Sequence, residues 1–159
     1  MKRFWWLAIV LIAVMESCMP SSGGSPRPVA FDTLSSTSPW ALGDRVAYLL
    51  VTDKNWSAYY SAEPAGSDFG TYVYLVASIG MKPNPGYGVE FLGLHQVNSE
   101  ITVSLKLSEP EAGKVYAQVI VYPIAVARIR KADLGRYDSL NAIFVDQNGK
   151  QIAVMKAAI

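Results

Sequence analysis

From Ile101 to Leu107 apolar and polar residues alternate without a break: Ile101, Val103, Leu105 and Leu107 on one side, Thr102, Ser104 and Lys106 on the other. A period of two places successive side chains on opposite faces of a strand, so this segment predicts a sheet with one dry and one wet face. Asn98-Ser99-Glu100 is a hairpin turn that joins it to an apolar strand from Val89 to Val97. Near the C-terminus, Asn148-Gly149 between Ala142–Val145 and Gln151–Val154 predicts a second hairpin. Tyr72–Ile79 is a continuous run of β-branched, aromatic and apolar residues, the pattern of a strand buried on both faces. Val46–Val51, Val115–Tyr122 and Ile124–Arg130 read as further strands, the last two divided by Pro123, which marks an edge or a bulge.

One helical signal interrupts this pattern. Thr52-Asp53 offers an N-cap and a first-turn acid, and Trp56, Tyr59 and Tyr60 follow at helical spacing. Those aromatics read as core, with a sugar-binding platform as the alternative. Residues 29–44 read as loop with room for a strand. The fold class is therefore mainly β with one short helix: an antiparallel sheet, sandwich or partly open barrel of seven to eight strands.

The N-terminus carries an address. Met1-Lys2-Arg3 precedes an apolar run from Phe4 to Met15, the layout of a secretory signal. Twelve helical residues rise about 18 Å, short of a hydrocarbon core of about 30 Å, so a permanent span is disfavoured. Met15-Glu16-Ser17-Cys18 resembles a bacterial lipobox, with Met15 and Glu16 departing from the usual Leu and small residue. Cys18 is the single cysteine, so neither a disulfide framework nor a cysteine metal site is available, and it is the expected lipidation site. Residues 19–28 have the Ser/Gly/Pro composition of a flexible tether. The expected organisation is a signal peptide at 1–17, the lipidated cysteine and tether at 18–28, and one β-rich domain at 29–159, with cleavage in the Ser21–Ser25 stretch or an uncleaved anchor as the alternatives. This places the chain in the cell envelope, anchored to the outer membrane or cell surface. Removing residues 1–17 leaves 142 residues and takes away Lys2, Arg3 and Glu16, so the net charge falls from +1 to 0. A neutral domain gives no electrostatic case for a nucleic-acid partner.

Catalytic signals are sparse. His95 is the single histidine and sits in an apolar strand. Glu109 and Glu111 flank Pro110 and read as a solvated turn. Arg128, Arg130, Lys131 and Arg136 form a basic cluster, read as edge-strand protection or, more sharply, as a contact for an anionic surface. No phosphate loop, nucleophile elbow or zinc-protease helix occurs, and no cofactor is expected. The distinctive segment is Gly80-Met-Lys-Pro-Asn-Pro-Gly-Tyr-Gly88. Within it Asn84-Pro85-Gly86-Tyr87 fits a type II turn, Pro85 setting the second position and Gly86 supplying positive φ. Such a rigid tip is preorganised for binding. Pro83, Asn84, Pro85, Gly86 and Tyr87 are the candidate partner-binding residues, with an ordinary structural turn as the alternative.

The stretch Gly80–Phe91 resembles the signature of the PrcB C-terminal-like family, named for a protease-complex subunit. Tyr122-Pro123 before Arg128 or Arg130 is similar to that family's late Tyr-Pro motif, Asp68-Phe69 to its usual Asp-Phe, and Trp56 lies where members carry a short helix. The resemblance runs over about residues 46–131 and more weakly through the last hairpin. Asn84-Pro85 stands where Thr-Gly is usual. The resemblance implies a secreted or lipid-anchored, non-catalytic accessory subunit whose partner is a protein, plausibly a protease. The same loop is similar, more distantly, to the inhibitory loop of chagasin-type cysteine-protease inhibitors, which implies a protease inhibitor as the alternative. An enzyme or glycan binder using the aromatics is a third.

Overall fold

The computed structural model describes residues 24–159. Within them the chain forms β1 (Arg27–Pro28), β2 (Asp32–Thr33), β3 (Val46–Val51), β4 (Tyr72–Ile79), β5 (Gly88–Val97), β6 (Glu100–Ser108), β7 (Ile124–Arg130), β8 (Ser139–Val145) and β9 (Gln151–Ala158). They make two sheets, a five-stranded one in the order β1-β5-β6-β8-β9 and a four-stranded one in the order β2-β7-β4-β3. All pairings are antiparallel except β6 with β8. The mainly-β expectation holds, and the sandwich is the form it takes.

The alternation read at Ile101–Leu107 does what its period requires. Ile101, Val103 and Leu105 are fully buried, whereas Lys106 is exposed and Thr102 and Ser104 are half-exposed. They meet Leu140, Ala142 and Phe144 of β8 and, across the sandwich, Leu50, Val73, Leu75, Ala127 and Ile129. The two hairpins lie where the turn residues put them. Val97 pairs with Glu100, leaving a two-residue turn in which Asn98 takes φ +53°. In the second hairpin Gly149 takes φ +80°, and the Asp146 carboxylate accepts the N–H groups of Asn148 and Lys150, both at 2.9 Å.

β4 is buried on both faces, as its unbroken apolar run predicts. Its odd-numbered residues face the sandwich core, and Tyr74 and Val76 face a second cluster on the outer side. There Trp40 packs 4.4 Å from the Tyr74 ring, and Phe69 lies 5.2 Å from Tyr74. Trp56, Tyr59 and Tyr60 pack against this cluster, so the aromatics are core. Burial pushes the Tyr60 hydroxyl up to about 12, and it donates to the Trp40 carbonyl at 3.3 Å.

The predicted helix is instead one 3₁₀ turn, Trp56–Ala58. Asn55 and Thr52 divert the backbone groups a longer helix would use. Asn55 Nδ2 donates to the Leu50 carbonyl at 2.9 Å and its Oδ1 accepts the Thr52 N–H at 2.8 Å. The Thr52 hydroxyl accepts from Lys54 N–H at 3.2 Å and donates to the Ala158 carbonyl at 2.8 Å. Local side-chain bonds of this kind compete with helical ones. The Thr52–Ala158 bond also ties β3 to β9, stitching the two sheets at one edge.

Two more readings change. Val115–Tyr122 is not a strand: only Val121 forms a bridge, to Lys82. Pro123 has no N–H to donate and interrupts the run between this segment and β7, and of the segment's residues only Val121 finds a backbone partner outside it, on Lys82. Arg27 and Pro28, read as the end of the tether, pair with Gln96 and His95. The Arg27 guanidinium donates to the Gln96 carboxamide and, at 2.8 Å, to the Asp133 carbonyl. Gln96 is buried and satisfied, its amide donating to the carbonyls of Asn98 at 2.7 Å and Leu134 at 2.8 Å.

Phe144→Ala, at full burial in the core, is expected to lower unfolding free energy by about 3–5 kcal/mol. Val154→Ala, on the solvent face, should stay within about 0.5 kcal/mol. Urea denaturation of residues 24–159 followed by circular dichroism measures both.

Candidate functional site: an apolar tip at one pole of the sandwich

β4 ends in the four-stranded sheet and β5 begins in the five-stranded one, so residues 80–87 cross from sheet to sheet at one pole. Gly80 makes the exit possible. Its φ is +71°, and a Cβ there would lie 2.7 Å from the Asp44 carbonyl oxygen and 3.0 Å from Val46 Cγ2. Lys82 and Val121 exchange backbone hydrogen bonds of 2.8 and 2.9 Å, which clamp the crossing to the segment before β7.

The turn itself is not the type II turn expected from Asn84-Pro85-Gly86-Tyr87. Gly86 has no positive φ. The Asn84 carboxamide oxygen accepts the Gly86 N–H at 2.9 Å, an Asx-type closure that makes the left-handed residue unnecessary. Space is tight there for a different reason: a Cβ would sit 3.0 Å from the Cα and Cβ of Pro110 and from the Asn84 Oδ1 that closes the turn. The sequence reading missed Gly80 as the strained position and Pro110 as the wall. No local pattern marks either, because both depend on segments 24 or more residues away.

Pro83 and Pro85 are exposed, and Asn84 and Tyr87 half-buried. Tyr87 packs against the sandwich core with one edge, while the Lys82 ammonium sits 5.3 Å from its ring centroid. A cleft of about 190 Å³ opens beside Tyr87, walled by Val46, Tyr48, Ile79 and Leu107 and rimmed by Lys82 and Glu109. Burial pushes the Tyr48 hydroxyl above its ordinary range.

The other half of the tip is the segment read as a strand. Val115 is 95% exposed, Ile120 62%, Val119 52% and Tyr122 51%, and Met81 of the crossing is 54% exposed. The bridge between Lys82 and Val121 holds this segment beside the crossing. Glu111, on the same loop, pairs with Lys114 at 3.4 Å, in keeping with a solvated turn.

The remaining candidates are dispersed. Cys18 lies outside the described residues. His95 is exposed on the outer face of the five-stranded sheet, opposite Thr102. The basic cluster does not guard an edge, because β7 is an interior strand. Arg128 donates to Asp32 at 3.1 Å, lies 4.6 Å over the Tyr72 ring and so pins β2 to β7. Lys131 pairs with Asp53 at 3.1 Å. A hydrogen bond from Lys54, then that from Lys131, holds the Asp53 carboxyl below its ordinary range. Among the described residues no group of three or more His, Cys, Asp or Glu side chains is placed to hold a metal ion.

The fold and tip together define a two-sheet β-module with an apolar, proline-stiffened pole. Residues 73–130 of it match the family model described as PrcB C-terminal, and the resemblance drawn from Gly80–Phe91 and Tyr122-Pro123 holds over that span. No curated protein and no solved structure matches the chain. The matched span runs from β4 through β7 and contains both halves of the tip. Asp68-Phe69 and Trp56 precede it. Their roles here are structural: Asp68 Oδ1 accepts the Thr71 N–H at 3.1 Å, and Phe69 packs in the aromatic cluster.

Three substitutions separate architecture from surface at the tip. Gly80→Ala meets both a positive φ and a carbonyl oxygen and should cost about 2 kcal/mol or more. Gly86→Val should cost about 1–3 kcal/mol through its clash with Pro110. Tyr87→Ala should cost about 2 kcal/mol, below the 3–5 kcal/mol of a fully buried aromatic. Thermal and urea unfolding rank the three, and a Tyr87→Ala loss at the upper figure would assign that ring to the core alone.

Proposed function

We propose that the protein is a non-catalytic, lipid-anchored interaction module of the cell envelope, acting as an accessory or stabilising subunit of a surface protease. The observation that carries this reading is the PrcB C-terminal match over residues 73–130, the span that holds both halves of the apolar tip. The chemistry of the tip supports it. Exposed aliphatic side chains, two prolines and a lysine–tyrosine pair supply contact area at low entropic cost, which suits recognition of a surface better than proton transfer. Pro83, Asn84, Pro85, Gly86 and Tyr87 are the residues assigned to the partner on the crossing loop. The anchor is assigned to Cys18, on the signal-like run Phe4–Met15 and the Ser/Gly/Pro stretch that follows.

The deciding experiment is a pull-down of the full chain from its native envelope through a C-terminal tag, with the eluate treated with an active-site-directed protease label. A labelled protease is expected in stoichiometric yield, with its activity reduced in cells lacking this protein. Raised activity in those cells would make the protein an inhibitor instead, and an eluate without labelled protease would overturn the subunit reading. Cys18→Ser should move the protein from the membrane to the soluble fraction or stall its processing. Wild-type protein that is already soluble after export would rule out the anchor.

A further inference from the structure

We infer that the cavity beside Arg128 and Arg130 binds a monocarboxylate with an apolar body, the two guanidinium groups holding the carboxylate while Phe31 and Tyr72 receive the body. The site lies at the end of β7 away from the tip, where Arg130 pairs with Tyr72, and stands independently of the protease reading.

The strand period puts both arginines on one face. Ala127 and Ile129 point into the sandwich core, so Arg128 and Arg130 stand on the opposite side of β7. Trp40 and Phe69 cover that side around Tyr74 and Val126. Beyond their cover a cavity of about 230 Å³ lies open, lined by Phe31, Asp32, Tyr72, Arg128, Arg130 and Asp133.

Arg128 is already fixed in place. Its Nε donates to Asp32 at 3.1 Å, and its guanidinium lies 4.6 Å from the Tyr72 ring centroid. Among the described residues its two terminal nitrogens make no hydrogen bond, so a fork of donors is held in position and left unused. A side chain ordered in advance loses less rotamer freedom when it takes an anion. Arg130 follows on the same face, exposed, and among the described residues its guanidinium has no acid within ion-pair distance. Lys131 beside it is taken up by Asp53. Two neighbouring guanidinium groups with free donors match the planar, two-oxygen geometry of a carboxylate.

The other walls select among anions. Asp32 and the Asp133 carboxylate, which has no ion-pair partner among the described residues, share the cavity. Their charge repels a dianion such as a phosphate monoester about twice as strongly as a monoanion. Phe31, braced by Phe91 at 6.2 Å, and Tyr72 supply apolar surface beside the arginines. The chemistry that fits all of these is one carboxylate on an apolar body. An apolar C-terminal residue of a peptide and a free aryl or aliphatic acid share it.

The test is calorimetric titration of the purified full chain with four probes: N-acetylphenylalanine, its amide, 3-phenylpropionate and phenyl phosphate. Both carboxylates are expected to bind, and the amide and the phosphate to bind about tenfold more weakly or not at all. Arg130→Gln should weaken carboxylate binding about tenfold without lowering the melting temperature, because that side chain has no partner in the fold. Arg128→Lys, which keeps the charge and removes the fork, should weaken it as well. Tighter binding of N-acetylphenylalanine assigns the site to a peptide C-terminus, and tighter binding of 3-phenylpropionate to a free acid. Equal affinity for acid and amide, phosphate binding as tight as carboxylate binding, unchanged affinity in Arg130→Gln, or no binding of either carboxylate would each overturn the inference.

Discussion

β4 is packed from both sides, and the rest of the molecule is arranged around that burial. Val73, Leu75 and Ala77 close the sandwich core against the five-stranded sheet, while Tyr74 and Val76 sit under Trp40 and Phe69 on the other face. A four-stranded sheet with one face in the core would otherwise present its second face to water. The 34–69 segment covers it, and burial of large aromatics is among the strongest apolar contributions a domain of this size has. With a single cysteine the chain has no disulfide to substitute for this packing. The Asp68-Phe69 pair, just before β4, secures the strand's start, since Phe69 is part of the same cluster.

The tip follows from where β4 stops. β4 belongs to the four-stranded sheet and β5 to the five-stranded one, so the chain must cross between the layers where β4 ends. Gly80 allows that departure through a conformation other residues resist, and the Lys82–Val121 clamp carries the crossing along the lead into β7. Pro110 then fills the space behind Gly86. The crossing, the Pro110 loop and the lead into β7 thus meet at one pole, where Met81, Val119 and Ile120 are exposed. The match to the PrcB C-terminal family spans the strands that build this pole.

The ionic groups are arranged as fasteners. Arg128 with Asp32, and Lys131 with Asp53, each join segments distant in sequence. At such exposure neither pair contributes much stability; Arg128 with Asp32 holds the two-residue β2 in register on β7, and Lys131 with Asp53 joins the turn after β7 to the turn after β3. Buried polar groups hold the edges more firmly. Gln96 joins the β5–β6 turn to the 131–134 turn, and Thr52 joins β3 to the end of β9.

The sequence by itself determined the strands whose patterns are local: the strict alternation of Ile101–Leu107, the doubly buried run Tyr72–Ile79, the Asn98 and Asn148-Gly149 turns, and the aromatic character of the core around Trp56. Side-chain period and turn chemistry act over a few residues, so a linear reading captures them. Only the tertiary structure decided the fate of segments with equal local claims to different states. Val115–Tyr122 has strand composition, but only Val121 meets a backbone partner outside it, Lys82 of the crossing, and the rest remains an exposed loop. Asp53–Ser61 has helical spacing, but Thr52 and Asn55 bind groups on β3 and β9 and limit it to a 3₁₀ turn. At Gly86 what limits a larger residue is Pro110 behind it and Asn84 beside it, not a positive φ. In each case the deciding partner is remote in sequence, and a pattern read along the chain does not contain it.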